Sequence, residues 1–274
     1  MAAVRSSLAS QSNKSLREER PKKTERNAAW LRRHGDSDGI LLLGGTSVAD
    51  FRIRVAQSSL RRDMAPSFWS QCGILLEGGI VATVPLDFSD PSDVPSCNGV
   101  RRRSIDEYDD PQRFPNIAVI RFAETHDNAI RDIGRVEADR SLVDLPSLML
   151  PWLGFVWGGA DAANPLLSGQ GLPSAAFVET VFAMAGFDLT PGVSSASSCP
   201  EAIWQSAKWW AVYYQGAAEE ARTLRKEMKE SGGSKNGAKS AAAGSEQGEN
   251  VLAAVPMVPA GVFTVRQVAA AVRD

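Results

Sequence analysis

Hydrophobic residues fall into short runs in the first half of the chain and into helical periods in the second. The earliest run, Gly39-Ile-Leu-Leu-Leu-Gly44, is apolar throughout, bracketed by glycines and too short for three helical turns, which predicts a buried strand. Arg52 to Arg62 then reads as a helix. Cys72-Gly-Ile-Leu-Leu-Glu77 and Ile80-Val-Ala-Thr-Val84 flank Gly78-Gly79 and predict a β-hairpin, and Asn116-Ile-Ala-Val-Ile-Arg-Phe122 predicts a further strand. Between them, Asp87 to Pro115 is crowded with Asp, Pro, Ser and Arg. It reads as a long excursion with at most a short helix over Ser104–Tyr108. Past residue 123 the period changes, with helical patterns at 123–136, 174–185 and 201–229. Strands giving way to helices predict an α+β domain.

The two ends differ from this middle. Residues 1–36 are polar and hold few large apolar side chains beyond Leu8, Leu16, Trp30 and Leu31, so they are expected to form a disordered basic arm. Residues 1–33 carry nine Lys or Arg against three acids. That charge could attract nucleic acid, but without interleaved aromatics or a recognisable fold nucleic acid is not the expected partner. A helix extension is expected over 216–230. Residues 231–250, rich in Gly, Ser, Ala and Lys, predict a flexible linker with a span of about 25 Å. In the closing segment, 251–274, Thr264-Val-Arg-Gln267 can cap a last short helix that docks on the domain.

Composition narrows the chemistry. The chain has 274 residues, a net charge of −2 and 43% hydrophobic residues, the balance of an ordinary globular protein. Two histidines, His34 and His126, and three cysteines, Cys72, Cys97 and Cys199, leave no metal-ligand spacing and no disulfide framework, so no metal and no cofactor is expected. The acidic cluster Asp106, Glu107, Asp109 and Asp110 lacks the spacing of a calcium loop and reads as a solvated run. Basic residues at the start are followed by no apolar core, so no signal peptide and a cytoplasmic location are expected. The longest apolar stretch, Leu148 to Ala160, is broken by Pro151 and Gly154 and is too short to span a bilayer; Leu148–Trp157 reads as a core-capping loop or an interaction surface. The adjacent pairs Trp209-Trp210 and Tyr213-Tyr214 cannot all face one way, so part of the set is expected either to be covered by the C-terminal segment or to form a contact surface.

The clearest local signal is Gly171-Leu-Pro-Ser-Ala-Ala-Phe-Val-Glu-Thr-Val-Phe-Ala-Met-Ala-Gly-Phe-Asp-Leu-Thr-Pro191, a helix starting at Pro173 and Ser174 and stopped by Gly186. It resembles the nucleophile helix of circularly permuted papain-like (NlpC-type) hydrolases, in which Cys-Ser-x-Phe-Val is followed by Ala-Gly-x-x-Leu-x-Pro. Upstream, Pro66-Ser-Phe-Trp-Ser-Gln-Cys-Gly-Ile-Leu-Leu76 is similar to the family's base-bearing strand, and the strand and helix at 38–60 resemble its opening elements. The likeness covers about residues 38–214. It implies one papain-like domain at 37–215, with an antiparallel sheet packed against the nucleophile-position helix.

The same resemblance puts Ser174 at the nucleophile position, Gln71 at the base position and Thr83 at the orienter position. None of the three matches the family's chemistry. A serine lacks the intrinsic nucleophilicity of a thiol, and an amide does not titrate near neutral pH. The expectation is therefore a catalytically degenerate hydrolase fold, a pseudoenzyme acting as a binding or assembly module, with a protein or peptide partner or an acyl ligand in the cleft. The alternative is an active amide or ester hydrolase in which Ser174 attacks and His126, beside Glu124 and Asp127, supplies the base. Peptidoglycan peptide, isopeptide or lipid acyl substrates would then be implied. Because strand side chains alternate, a site-facing Gln71 turns Cys72 away, to a buried structural role.

Overall fold

A computed structural model describes residues 17–18, 26–34, 39–87, 96–121, 126–158, 161–210, 223 and 263–267; at 17–18, 34, 126–131 and 263–267 only the backbone is described. Five strands form an antiparallel sheet in the order β6-β2-β3-β4-β5, with β2 Ile40–Gly44, β3 Gln71–Leu76, β4 Ile80–Thr83, β5 Arg101–Ser104 and β6 Asn116–Ile120. Two short strands extend the β6 edge: β7 (Phe263–Gln267) runs antiparallel to β6, and β1 (Arg17–Glu18) runs parallel to β7. The β3–β4 hairpin turns through Gly78 and Gly79, both at φ above 70°, a backbone region open to glycine and costly for residues with a Cβ.

The sheet is buried on both faces, which explains why β2 reads as an unbroken apolar run rather than an alternation. Ile40, Leu42, Cys72, Ile74, Ala82, Ala118 and Ile120 face one cluster with the helices α2 (Val48–Ala56), α3 (His126–Ala138), α4 (Leu145–Trp157), α5 (Pro173–Met184) and α6 (200–210). Leu41, Leu43, Leu75, Val81, Ile117 and Val119 face the other, closed by Ile105, Tyr108, Phe114 and the helix α1 (Asn27–His34). Between sheet and outer helices lies α5, with every residue from Pro173 to Phe182 buried, as an apolar-all-round helix must be.

Four expectations change. The basic arm is not a tail throughout: α1 buries Trp30 and Leu31 completely, because the second sheet face needs a cover and these two side chains supply it. Asn27 fastens it, donating to the carbonyls of Tyr108 at 2.9 Å and Phe114 at 3.0 Å. The acidic cluster is exposed as expected at Asp106, Glu107 and Asp110, but it is also the counterpart of α1, since Arg26 pairs with the half-buried Asp109 and Arg32 with Asp106. Leu148–Trp157 is no loop but most of α4, capped by Asp144, which accepts from the Ser147 N–H at 3.3 Å, and buried through Leu145, Met149, Trp152 and Val156. The closing helix is corrected only where its expected start is described, and 268–274 lie outside the described residues. Phe263–Gln267 is a strand, in keeping with β-branched Thr264 and Val265 and with the open backbone groups along β6.

The predicted β2, hairpin, β6 and short turn at 104–108 are all present, whereas β5 falls inside the stretch read as a loop. Of the extension at 216–230 only Thr223 is described, in a helical state; the linker at 231–250 lies outside the described residues.

Candidate functional site

The start of α5 is fixed by its approach. Gly171 donates its N–H to the Ala196 carbonyl at 2.7 Å and accepts from Trp152 Nε1 at 2.8 Å. A Cβ there would lie 2.4 Å from the Ser198 carbonyl oxygen, so no other residue fits. Pro173 opens the helix with its preset φ. Ser174 follows in the first turn, 1% exposed, and is driven against β3. Its Oγ accepts the Cys72 backbone N–H at 3.3 Å and stands 3.8 Å from the Cys72 thiol. Thr83 Oγ1 in turn donates to the Cys72 carbonyl at 2.6 Å.

Of the three positions the resemblance assigns, Ser174 and Gln71 line one cavity while Thr83 reaches only the Cys72 carbonyl, and the parity on β3 is the opposite of that expected. Side chains alternate as expected; however, Gln71 pairs with Leu43, on the α1 face, while Cys72 pairs with Leu42, on the α5 face. It is Cys72 that meets Ser174, which corrects the expectation that this thiol points away. Gln71 and Ser174 still line one cavity of about 100 Å³ at the end of the sheet, together with Ser70, Leu172 and Trp157. That volume corresponds to about three water molecules. Among the described residues Gln71 makes no side-chain hydrogen bond. His126 opens α3, and its side chain lies outside the described residues, as does that of His34.

Burial sets the electrostatics. Desolvation pushes the Cys72 thiol far above the ordinary range, against the hydrogen bond with Ser174, and Cys199 is pushed up to about 12 by the same cause. Both are neutral thiols in water near neutral pH. Glu179, one and a half turns along α5, is raised by burial, partly offset by hydroxyls from Thr190 at 2.6 Å and Ser198 at 2.8 Å. Both hydroxyls bond the same carboxyl oxygen, so Glu179 is a structural tie between α5 and the 190–198 loop rather than a partner of Ser174.

The cavity also holds groups the sequence reading passed over. Asp50 in α2 accepts the hydroxyls of Ser47 and Ser70, each at 2.6 Å, and Ser70 Oγ accepts the Gly45 N–H at 3.1 Å. The Ser47-x-x-Asp50 capping spacing was the available signal. Behind it, fully buried Glu201 on α6 takes the Ser67 hydroxyl at 2.6 Å and lies 3.9 Å from Arg61. Gln57 Oε1 receives the Glu201 N–H at 2.9 Å, which pins α6 to the end of α2.

A wider groove of about 740 Å³ runs between α4, α5 and the turn at 194–196, floored by Leu148, Ala183 and Met184. On α6, Trp210 donates Nε1 to the Leu189 carbonyl at 3.3 Å and packs against Phe187, while Trp209 stays half exposed; Tyr213 and Tyr214 lie outside the described residues.

Among the described residues no cluster of three His, Cys, Asp or Glu has the placement of a metal site, and no helix is long and apolar enough to cross a membrane. No protein-family model, curated protein or solved structure matches the chain.

Proposed function

We propose that this chain has a permuted papain-like (NlpC-type) fold from which the proton-transfer groups have been lost, and that it serves as a binding or assembly module rather than a hydrolase. The supporting observation is the environment of Ser174. Its hydroxyl sits at a helix start, where a nucleophile would gain from the macrodipole, yet its neighbours are a backbone N–H and a thiol that burial keeps protonated. A serine becomes a nucleophile when a nearby base takes its proton; neither group can do so. The order of elements, with the strand of Gln71 and Cys72 preceding the helix of Ser174, agrees with the permuted arrangement.

The cavity at Ser174 is well below the few hundred Å³ of a ligand pocket, whereas the groove between α4 and α5 falls within that range. A peptide segment or acyl chain laid on Leu148, Ala183 and Met184 suits that groove better than the sealed serine.

Fluorophosphonate labelling, run beside a broad amidase and esterase panel, tests the reading. The expected result is no turnover and no labelling that Ser174→Ala removes. Labelling abolished by Ser174→Ala, and weakened by His126→Ala, would establish the hydrolase instead.

A further inference from the structure

Helix α2 turns outward a stripe that a packed helix would turn inward. Val48, Phe51 and Val55 stand at i, i+3 and i+7 on one face and are 76%, 55% and 42% exposed, while the helix buries Ile53 and Ala56 on the other. The turn that follows exposes Leu60 and Met64. Trp157, at the end of α4, lines the Ser174 cavity alongside Ala49 and Asp50 of α2 and is itself 65% exposed. None of Val48, Phe51, Val55, Leu60 and Met64 lines either cavity; they protrude.

Cations flank this stripe. Arg52 lies 5.0 Å over the Phe155 ring and Arg62 is exposed, whereas Arg61, its side chain only 13% exposed, lies 4.6 Å over Phe68 and is held by Asp63. Lys208 is close enough to Arg61 and Arg62 for their charges to oppose its own. The carboxylates of the same stretch are already engaged, Asp50 by Ser47 and Ser70 and Asp63 by Arg61 at 2.7 Å.

We propose that this face docks on an anionic lipid bilayer, with Val48, Phe51 and Val55 entering the headgroup boundary and Arg52 and Arg62 meeting lipid phosphates. Protruding apolar side chains rimmed by arginine, with a tryptophan beside them, are the arrangement an interfacial helix presents to such a surface. A second copy of the chain fits less well, because a two-fold contact through this stripe sets the same arginines against one another. None of these side chains bonds Ser174 or Cys72, so vesicle binding and serine chemistry are tested separately.

The test is flotation of the full chain with phosphatidylcholine vesicles, with and without about 30% phosphatidylserine. Binding is expected only to the anionic vesicles, to weaken with added salt, and to fall at least about tenfold in Phe51→Ser/Val55→Ser. Both positions are exposed, and circular dichroism verifies that the double variant keeps its fold. The variant leaves the basic residues of 1–33 in place, so undiminished binding would assign the affinity to them and overturn the proposal. Absence of binding to anionic vesicles would overturn it too. So would a concentration-dependent dimer in sedimentation velocity that the same substitutions abolish, which would make the stripe a protein interface.

Discussion

On one face of the sheet α5 lies sealed beneath α3 and α4, with ten consecutive residues buried; on the other, the cover includes a single eight-residue helix, α1, from the polar N-terminal segment. The first cover is one continuous apolar element held by packing. The second is held by two large side chains, Trp30 and Leu31, an asparagine and a set of ion pairs. Stability in a folded chain is distributed by such differences, so the α5 face should open only in global unfolding and the α1 face in a local one.

The largest effect expected is at the sealed face. Phe177→Ala should cost about 3–5 kcal/mol in denaturant unfolding, because the cavity it leaves cannot collapse between sheet and helices. Trp30→Ala should cost about 3 kcal/mol, the lower end of that range, and should accelerate amide exchange in α1 and around Tyr108 before the rest of the chain. Equal exchange across both faces in the Trp30 variant would break the comparison.

The smallest effects are read from their pH dependence, and the two faces should respond in opposite directions. Glu179 is raised on folding, so its proton is held more tightly in the folded state. Its contribution is present below the unfolded value of about 4.3 and is lost as pH rises through the folded one. Glu179→Gln, which keeps an acceptor for Thr190 and Ser198, should therefore gain stability at neutral pH relative to acid. Asp109 behaves in reverse. Burial alone would raise it, but the Ala28 N–H and Arg26, helped by the charge of Arg32, outweigh burial and hold it below the usual range. Its contribution is present above about 3.9 and is lost as pH falls through the lowered value, and Asp109→Asn should remove that acid-side loss. Parallel pH profiles for the two variants would contradict the assignment.

The elements that α5 rests on were legible because each carries its own local signal: an apolar run between glycines for β2, two glycines at a turn for the hairpin, and a proline start with a glycine stop for α5. The cover on the other face was not, since averaging over residues 1–36 hides Trp30 and Leu31 among charges whose partners, Asp106 and Asp109, lie more than 70 residues away. β5 was hidden for a similar reason. Arg101-Arg102-Arg103 has no apolar face and is a strand because the β4 edge pairs with it. At the candidate site, alternation correctly separated Gln71 from Cys72, but a sheet buried on both faces gives no sequence signal for which of the two meets Ser174. Only the register of Cys72 with Leu42 decides it.

Whether anything bonded to Ser174 accepts a proton near neutral pH is decided by the Cys72 thiol, which burial keeps protonated. Thiolate absorbance should be followed against pH in the Cys97→Ser variant, which leaves only the two buried thiols. No thiolate signal is expected below about pH 10, where an ordinary thiol titrates near 8.5. A thiolate appearing below about pH 8, and lost in Cys72→Ala, would contradict this by placing a working base beside the serine.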